Sequence, residues 1–279
     1  MKKIVSLILA AMMLMSVLAG CGSSDGKAKT VTSGKLTVAT SPDFAPMEFI
    51  DPSKEGQDMY VGFDLTLAHY IADSMGLELV VMPMSFEACQ TAVYAGTVDM
   101  AISGFSWSEN REQNYNISDY YRAGDNEDNQ VLITLASNGD KFATAEGLKG
   151  AKIGAQNASL QQSLTSEQLP DSELVLFTDL GTAVLQLKNG DFDCIAVADG
   201  NGKAIIANNP DIAMSGYKFQ VDEKLTGNVV LLKKGADELT ASVNEALASS
   251  KDQWETWYNE AKEISGIEAS YDDQGNAVG

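Results

Sequence analysis

Thr182-Ala183-Val184-Leu185-Gln186-Leu187-Lys188-Asn189-Gly190-Asp191-Phe192-Asp193-Cys194-Ile195-Ala196 repeats the plan of Ala88-Cys89-Gln90-Thr91-Ala92-Val93-Tyr94-Ala95-Gly96-Thr97-Val98-Asp99-Met100-Ala101-Ile102. Each run has an apolar stripe at helical spacing, a glycine where the helix should stop, two residues, an aspartate and an apolar strand. Glycine suits the left-handed conformation that follows many helices. An unalternating apolar run suits a strand buried on both faces of a parallel sheet. The flanks extend the pattern. In the first half Lys35–Thr40 is β-rich, Leu65–Met75 is helical with Asp64 as N-cap and Gly76 as stop, and Leu77–Met82 is the next strand. In the second half Ala151–Ala155 is a strand, Leu160–Gln168 a helix and Leu174–Phe177 a strand. Each half is a β-α-β-α-β run, which predicts an α/β protein whose sheets are mostly parallel and covered by helices.

Between the halves lie Ser118-Asp119-Tyr120-Tyr121, the acidic run Asp125–Asn129 and a strand, Gln130–Leu135. Another strand, Asn228–Lys233, leads to helices near Asp237–Ser249 and Asp252–Ile264. This order predicts two lobes crossed twice by the chain, near 125–131 and 225–230. Lobe 1 is expected to take residues 35–127 plus 229–270 and lobe 2 residues 128–228, with 271–279 as a loose tail.

The N-terminus reads Met1-Lys2-Lys3, an apolar stretch from Ile4 to Ala19, then Gly20-Cys21. A positive start, a short apolar core and small residues before a cut form the pattern of a secretory signal. About 16 apolar residues fall short of the roughly 20 that span a bilayer. Leu18-Ala19-Gly20-Cys21 resembles the lipobox of bacterial lipoproteins, which implies cleavage before Cys21 and acylation of that cysteine. Residues 1–20 are then the signal peptide and 21–34 a lipidated, flexible tether rich in small polar residues. The implied location is the outer face of the bacterial cytoplasmic membrane.

Cleavage leaves 259 residues, enough for two lobes with separate cores. Net charge is −20, and −22 once Lys2 and Lys3 are removed. Such a surface repels nucleic acid and anionic headgroups, and no basic cluster opposes it. Cys89 and Cys194 fall in different halves and read as buried thiols rather than a disulfide. A single histidine, His69, excludes histidine-rich metal sites. Gly200-Asn201-Gly202-Lys203-Ala204 resembles a phosphate loop but lacks its glycine spacing and the Ser/Thr after lysine. Neither a metal nor a cofactor is expected.

Ser103-Gly104-Phe105-Ser106-Trp107-Ser108-Glu109-Asn110-Arg111 follows the carboxyl end of strand Asp99–Ile102, the edge where open α/β sheets bind ligands. Ser108 can cap a short helix whose first turn carries Arg111, and an arginine there can grip a carboxylate through two parallel hydrogen bonds. An ordinary capped helix with a surface arginine would read the same way.

Thr40-Ser41-Pro42-Asp43-Phe44-Ala45-Pro46-Met47-Glu48-Phe49, Val61-Gly62-Phe63-Asp64-Leu65, Ser103–Arg111 and Ser118-Asp119-Tyr120-Tyr121, in this order, resemble the polar amino-acid group of substrate-binding proteins of ABC importers. The resemblance covers about residues 35–265. It implies a periplasmic-binding-protein-like fold of two α/β lobes closing on one ligand, with no enzymatic activity. By position it implies that Arg111 and Ser106 hold a ligand α-carboxylate and that Ser159 adds hydrogen bonds from the second lobe. It further implies that the Gly104 carbonyl accepts from the α-amino group and that Phe44 and Phe86 sandwich the side chain, with Ser103 beside them. Phe105 and Trp107 could add apolar contact or simply be core.

Two departures stand out. Ser41 occupies a position often acidic in the family, which points away from a cationic ligand, although Asp43 could substitute. Asp199, the counterpart of an aspartate that pairs with the ligand ammonium, lies one residue further from Asp193 than usual; either a bulge corrects this or Ala198 takes its place. The expectation is a monomeric, lipid-anchored receptor that passes a neutral or polar L-α-amino acid to a membrane permease. A dehydratase-like enzyme and a ligand-sensing receptor on the same fold are the alternatives.

Overall fold

Two five-stranded sheets, each covered by helices on both faces, organise the computed structural model, which describes residues 29–121 and 129–266. In the first sheet β1 (Lys35–Thr40) lies parallel to β5 (Glu78–Pro83), with Lys35 opposite Glu78 and Thr40 opposite Pro83. On its other side β1 pairs in parallel with β6 (Met100–Ala101). β13 (Leu231–Lys233) then runs antiparallel to β6 and to β7 (Tyr115–Ile117). The second sheet has the same plan. β9 (Lys152–Gln156) is parallel to β10 (Glu173–Phe177) and β11 (Cys194–Ala198), and β8 (Gln130–Leu135) runs antiparallel to β11 and β12 (Ile212–Lys218).

Strand side chains alternate between two buried faces, which is why the strands read as unbroken apolar runs. Val230 and Leu232 pack with α1 (Phe63–Ser74), while Val229 and Leu231 pack with α2 (Phe86–Ala95). In lobe 2, Ile195 and Val197 meet α5 (Leu180–Asn189), and Cys194 and Ala196 meet α4 (Leu160–Gln168). The two repeated helices end at Gly96 and Gly190, with φ of +73° and +82°, in the left-handed conformation expected of them. Cys89 and Cys194 are buried, free and in different lobes.

The C-terminal helices α7 (Asp237–Ser250) and α8 (Trp254–Ser265) return to lobe 1, where Leu239, Val243, Tyr258 and Ala261 complete the core with Phe63 and Ile71. One element is new. The motif after β1 forms a small antiparallel meander of β2 (Asp43–Phe44), β3 (Glu48–Ile50) and β4 (Tyr60–Val61). One reading needs correction. Asp64 is not a helix cap: Gly62, at φ +119°, holds that position, and Asp64 is a fully buried residue of the first turn. A Cβ at Gly62 would collide with the Met47 carbonyl, so only glycine fits there.

The signal peptide, Cys21, most of the tether, residues 125–128 of the acidic run and the tail 271–279 lie outside the described residues. Among the described residues no helix is long and apolar enough to cross a membrane.

Candidate functional site

The carboxyl ends of β1, β6, β9 and β11 converge between the lobes on a cavity. Lobe 1 lines it with Asp43, Phe44, Glu48, Phe86, Ser103, Gly104, Ser106 and Arg111. Lobe 2 supplies Gln156, Ser159, Leu160, Gln161 and Ala198, and the crossing positions Gln130 and Asn228 close it.

Arg111 is positioned by α3 (Glu109–Asn114), whose N-cap Ser108 accepts a hydrogen bond from the Arg111 amide at 3.2 Å. Its Nη1 donates to the Ser106 carbonyl at 2.6 Å and its Nε to Gln90 Oε1 at 3.2 Å. Nη2 reaches across the gap to the Ala158 carbonyl at 2.8 Å. The guanidinium lies 5.2 Å from the Phe105 ring centre and 5.6 Å from that of Phe86. Among the described residues no carboxylate pairs with it. Burial without a counter-charge pulls its pKa down to about 10. A desolvated guanidinium with only neutral acceptors can take a carboxylate, which accepts from two N–H groups at once.

Phe44 and Phe86 both line the cavity. Phe86 is backed by Phe105 at 4.6 Å between ring centres, so Phe105 is core, and Trp107 lies outside the cavity lining. Gly104 has φ +54°, and a Cβ there would sit 2.9 Å from Phe44 Cε1. Ser159 lines the cavity and also caps α4, accepting from the Gln162 amide at 3.2 Å.

Ser41 and Asp199 do not line the cavity. Ser41 is buried, with its hydroxyl donating to Asp43 Oδ1 at 3.0 Å, and Asp43 takes its place on the wall. Asp199 begins α6 (Asp199–Ala207) and pairs with Lys203 at 2.9 Å. Because β11 runs to Ala198, which pairs with Gln130, the extra residue belongs to the strand and Ala198 faces the ligand space.

Glu48 stands in the motif Thr40–Phe49 but outside the residues expected to bind the ligand. It is fully buried, and Ser103 Oγ donates to its Oε1 at 2.5 Å. Behind it Asp64 Oδ2 accepts from the Gly104 amide at 2.8 Å and the Tyr121 hydroxyl at 3.0 Å. Desolvation, and then the neighbouring Asp64, raise the Glu48 pKa well above the usual carboxylate range, and desolvation pushes Asp64 up to about 7. Asp43 is also raised by burial, partly offset by the Leu180 amide.

Further polar contacts join the lobes. Asp43 Oδ2 accepts from the Leu180 amide at 2.9 Å and from Gln156 Nε2 at 3.3 Å. Asn157 Nδ2 donates to Glu87 Oε2 at 2.5 Å, and Asn201 Nδ2 to the Ala45 carbonyl at 3.2 Å. The structure is therefore a closed arrangement of the two lobes.

Residues 36–261 match the family model of bacterial extracellular solute-binding proteins, family 3. The chain belongs to this family. This solute-binding protein is 29% identical over 212 residues to a probable histidine-binding protein of Campylobacter jejuni, covering 73% of this chain and 78% of the relative. It is 29% identical over 261 residues to the arginine-binding extracellular protein ArtP of Bacillus subtilis, covering 91% of this chain and 95% of the relative. Among solved structures it resembles the amino acid ABC transporter substrate-binding protein AbpA of Streptococcus pneumoniae bound to L-arginine, with TM-score 0.75 and 30% identity, covering 83% of this chain and 96% of that one. These relatives are solute-binding proteins and not enzymes, and the two-lobed fold matches theirs.

Proposed function

We propose that this protein captures an L-α-amino acid with a cationic side chain between its lobes and delivers it to an ABC permease, from a lipid anchor at Cys21. The observation that carries the ligand class is the charge of the cavity wall: among the described residues, two carboxyl groups, Asp43 and Glu48, stand against one cation, Arg111. Arg111 is matched by the ligand α-carboxylate, with Ser106 and Ser159 beside it. The two acids remain for the α-ammonium and a positive side chain, which Phe44 and Phe86 flank. The relatives named for histidine and arginine binding support this class.

A neutral or polar ligand, the expectation drawn from Ser41, is the second reading. It is favoured by Asp43, whose carboxylate already accepts from Leu180, Gln156 and Ser41. Thermal shift of refolded, ligand-stripped protein against the standard amino acids separates the two, because a ligand that binds only the folded state raises its melting temperature. The dominant shift is expected with arginine, lysine or histidine. A dominant shift with glutamine or another neutral residue supports the second reading, and one with glutamate or aspartate overturns both.

A further inference from the structure

The floor of the cavity holds a pair of buried carboxyl groups. Glu48, on β3, and Asp64, in the first turn of α1, are fully buried and within hydrogen-bonding reach of one another. Glu48 Oε1 accepts from Ser103 Oγ, which itself accepts from the Ser41 amide at 3.0 Å. Asp64 Oδ2 accepts from Gly104 and Tyr121. The remaining oxygens, Glu48 Oε2 and Asp64 Oδ1, are buried and receive no hydrogen bond from a described N–H or O–H group. Carboxylates accept and never donate unless protonated. Two ionised carboxylates in contact in a dry site repel, and a single proton between them removes the repulsion and supplies the missing donor.

Among the described residues, the groups facing the pair do not supply a cation. Asp43 approaches from β2 with negative charge, Cys89 from α2 with a thiol that burial and the nearby acids keep protonated, and Tyr121 with a neutral phenol. Arg111 is the cation of the cavity wall, and its donors go to Ser106, Gln90 and Ala158. Asp64 has two donors on its anion and Glu48 has one, so the proton resides on Glu48, the member of the pair that lines the cavity.

We propose that Glu48 and Asp64 share one proton in the ligand-free protein and that a cationic side chain seated against Glu48 expels it, so that capture of a cationic amino acid is coupled to proton release. The O–H bond of Glu48 breaks, its electron pair stays on the carboxylate that now faces the ligand cation, and the proton leaves to solvent. A neutral amino acid leaves the proton in place. The floor of the cavity thus sets its own charge to match the ligand. The release step rests on the cationic reading of the site; the shared proton does not.

Calorimetry with L-arginine, in buffers of equal pH but different ionisation enthalpy, counts the protons. We expect about one proton released per arginine bound near pH 7.5, with affinity rising up to about tenfold per pH unit. Glu48→Gln, whose amide can still donate to Asp64, should release none. In parallel, the infrared carbonyl band of a buried carboxylic acid should be present in the ligand-free wild type at pH 7.5, lost on adding L-arginine and retained on adding L-glutamine. Arginine binding without proton release, or release undiminished in Glu48→Gln, overturns the coupling. Absence of the acid band from the ligand-free wild type overturns the shared proton, even if the variant does not fold. If no cationic amino acid binds, the thermal-shift panel reports that first. The ligand-class reading and the release step then fall together, and the band alone decides on the shared proton.

Discussion

Replacing Arg111 by methionine separates a binding role from a structural one. The Arg111 pKa of about 10 reflects burial without a counter-ion. A displacement of that size from an arginine in water corresponds to roughly 3 kcal/mol held against the ligand-free protein. Three hydrogen bonds, to Ser106, Gln90 and Ala158, offset it. At about 1 kcal/mol net for each bond the two effects nearly cancel. Methionine packs against Phe86 and Phe105 without charge, so ligand-free stability should change by at most about 1 kcal/mol, or about 4 °C in melting temperature. Binding behaves differently. A ligand carboxylate that loses a desolvated partner costs about 2–5 kcal/mol, which is about 30- to 5,000-fold in Kd. Calorimetry with the amino acid identified by thermal shift, together with melting of the ligand-free variant, tests both halves. An affinity within threefold of wild type would refute the anchor. A drop of more than about 10 °C in the ligand-free variant (more than twice the ~4 °C bound) would show Arg111 to be a structural residue.

Gly104→Ala places a Cβ at φ +54° and 2.9 Å from Phe44 Cε1. Left-handed backbone strain of about 1–2 kcal/mol should lower the melting temperature by about 2–8 °C, while the displaced Phe44 ring weakens amino-acid binding at least about tenfold; unchanged affinity would remove Phe44 from the site. Glu48 and Asp64 have raised folded pKa values, so between the unfolded carboxylate range near 4 and about 7 the folded state binds more protons than the unfolded one. Stability should therefore fall as pH rises through that window, and Glu48→Gln should flatten the fall in melting curves from pH 5 to 8; an equal slope in both proteins contradicts the raised pKa. Asn201→Ala removes a contact between the lobes worth about 0.5–1.5 kcal/mol. Stopped-flow release should be roughly 2- to 12-fold faster, and an unchanged rate means this contact does not hold the closed state.

The β-α-β-α-β order was legible because its signals are local: unalternating apolar strands and the helix-ending glycines Gly96 and Gly190. The small meander was not. Its strands β2 and β4 have two residues each, too short for any periodicity to register. Asp64 was misread for a physical reason. Aspartate is a frequent N-cap, and only the folded chain brings Gly104 and Tyr121, distant in sequence, to its carboxylate. Asp199 shows the same limit from the other side. The spacing from Asp193 left two outcomes open, and the pairing of Ala198 with Gln130 decides between them. Glu48 carries no local signal of its own, because its environment is assembled from β6, α1 and the loop that follows β7.

The division of interactions explains how such a receptor can be both stable and switchable. Each lobe owns its apolar cores, and among the described residues no core cluster mixes residues of the two sheets. The contacts across the gap that involve Asp43, Arg111, Asn157 and Asn201 are polar. Each such bond is worth only about 1 kcal/mol net, since water satisfies the same groups when the lobes part. Closure is then a small free-energy change laid over large, separate folding free energies, and opening exposes no apolar core. A ligand touching Arg111 on one lobe and Ser159 on the other adds its energy to the closed state alone, which is the condition for it to shift the equilibrium. The buried charge of Arg111 sharpens the response. Until a carboxylate arrives, closing the lobes around it removes water without supplying a counter-ion. Closing empty gives Arg111 only the neutral Ala158 carbonyl across the gap, whereas a ligand carboxylate would supply the counter-charge that the closed site lacks.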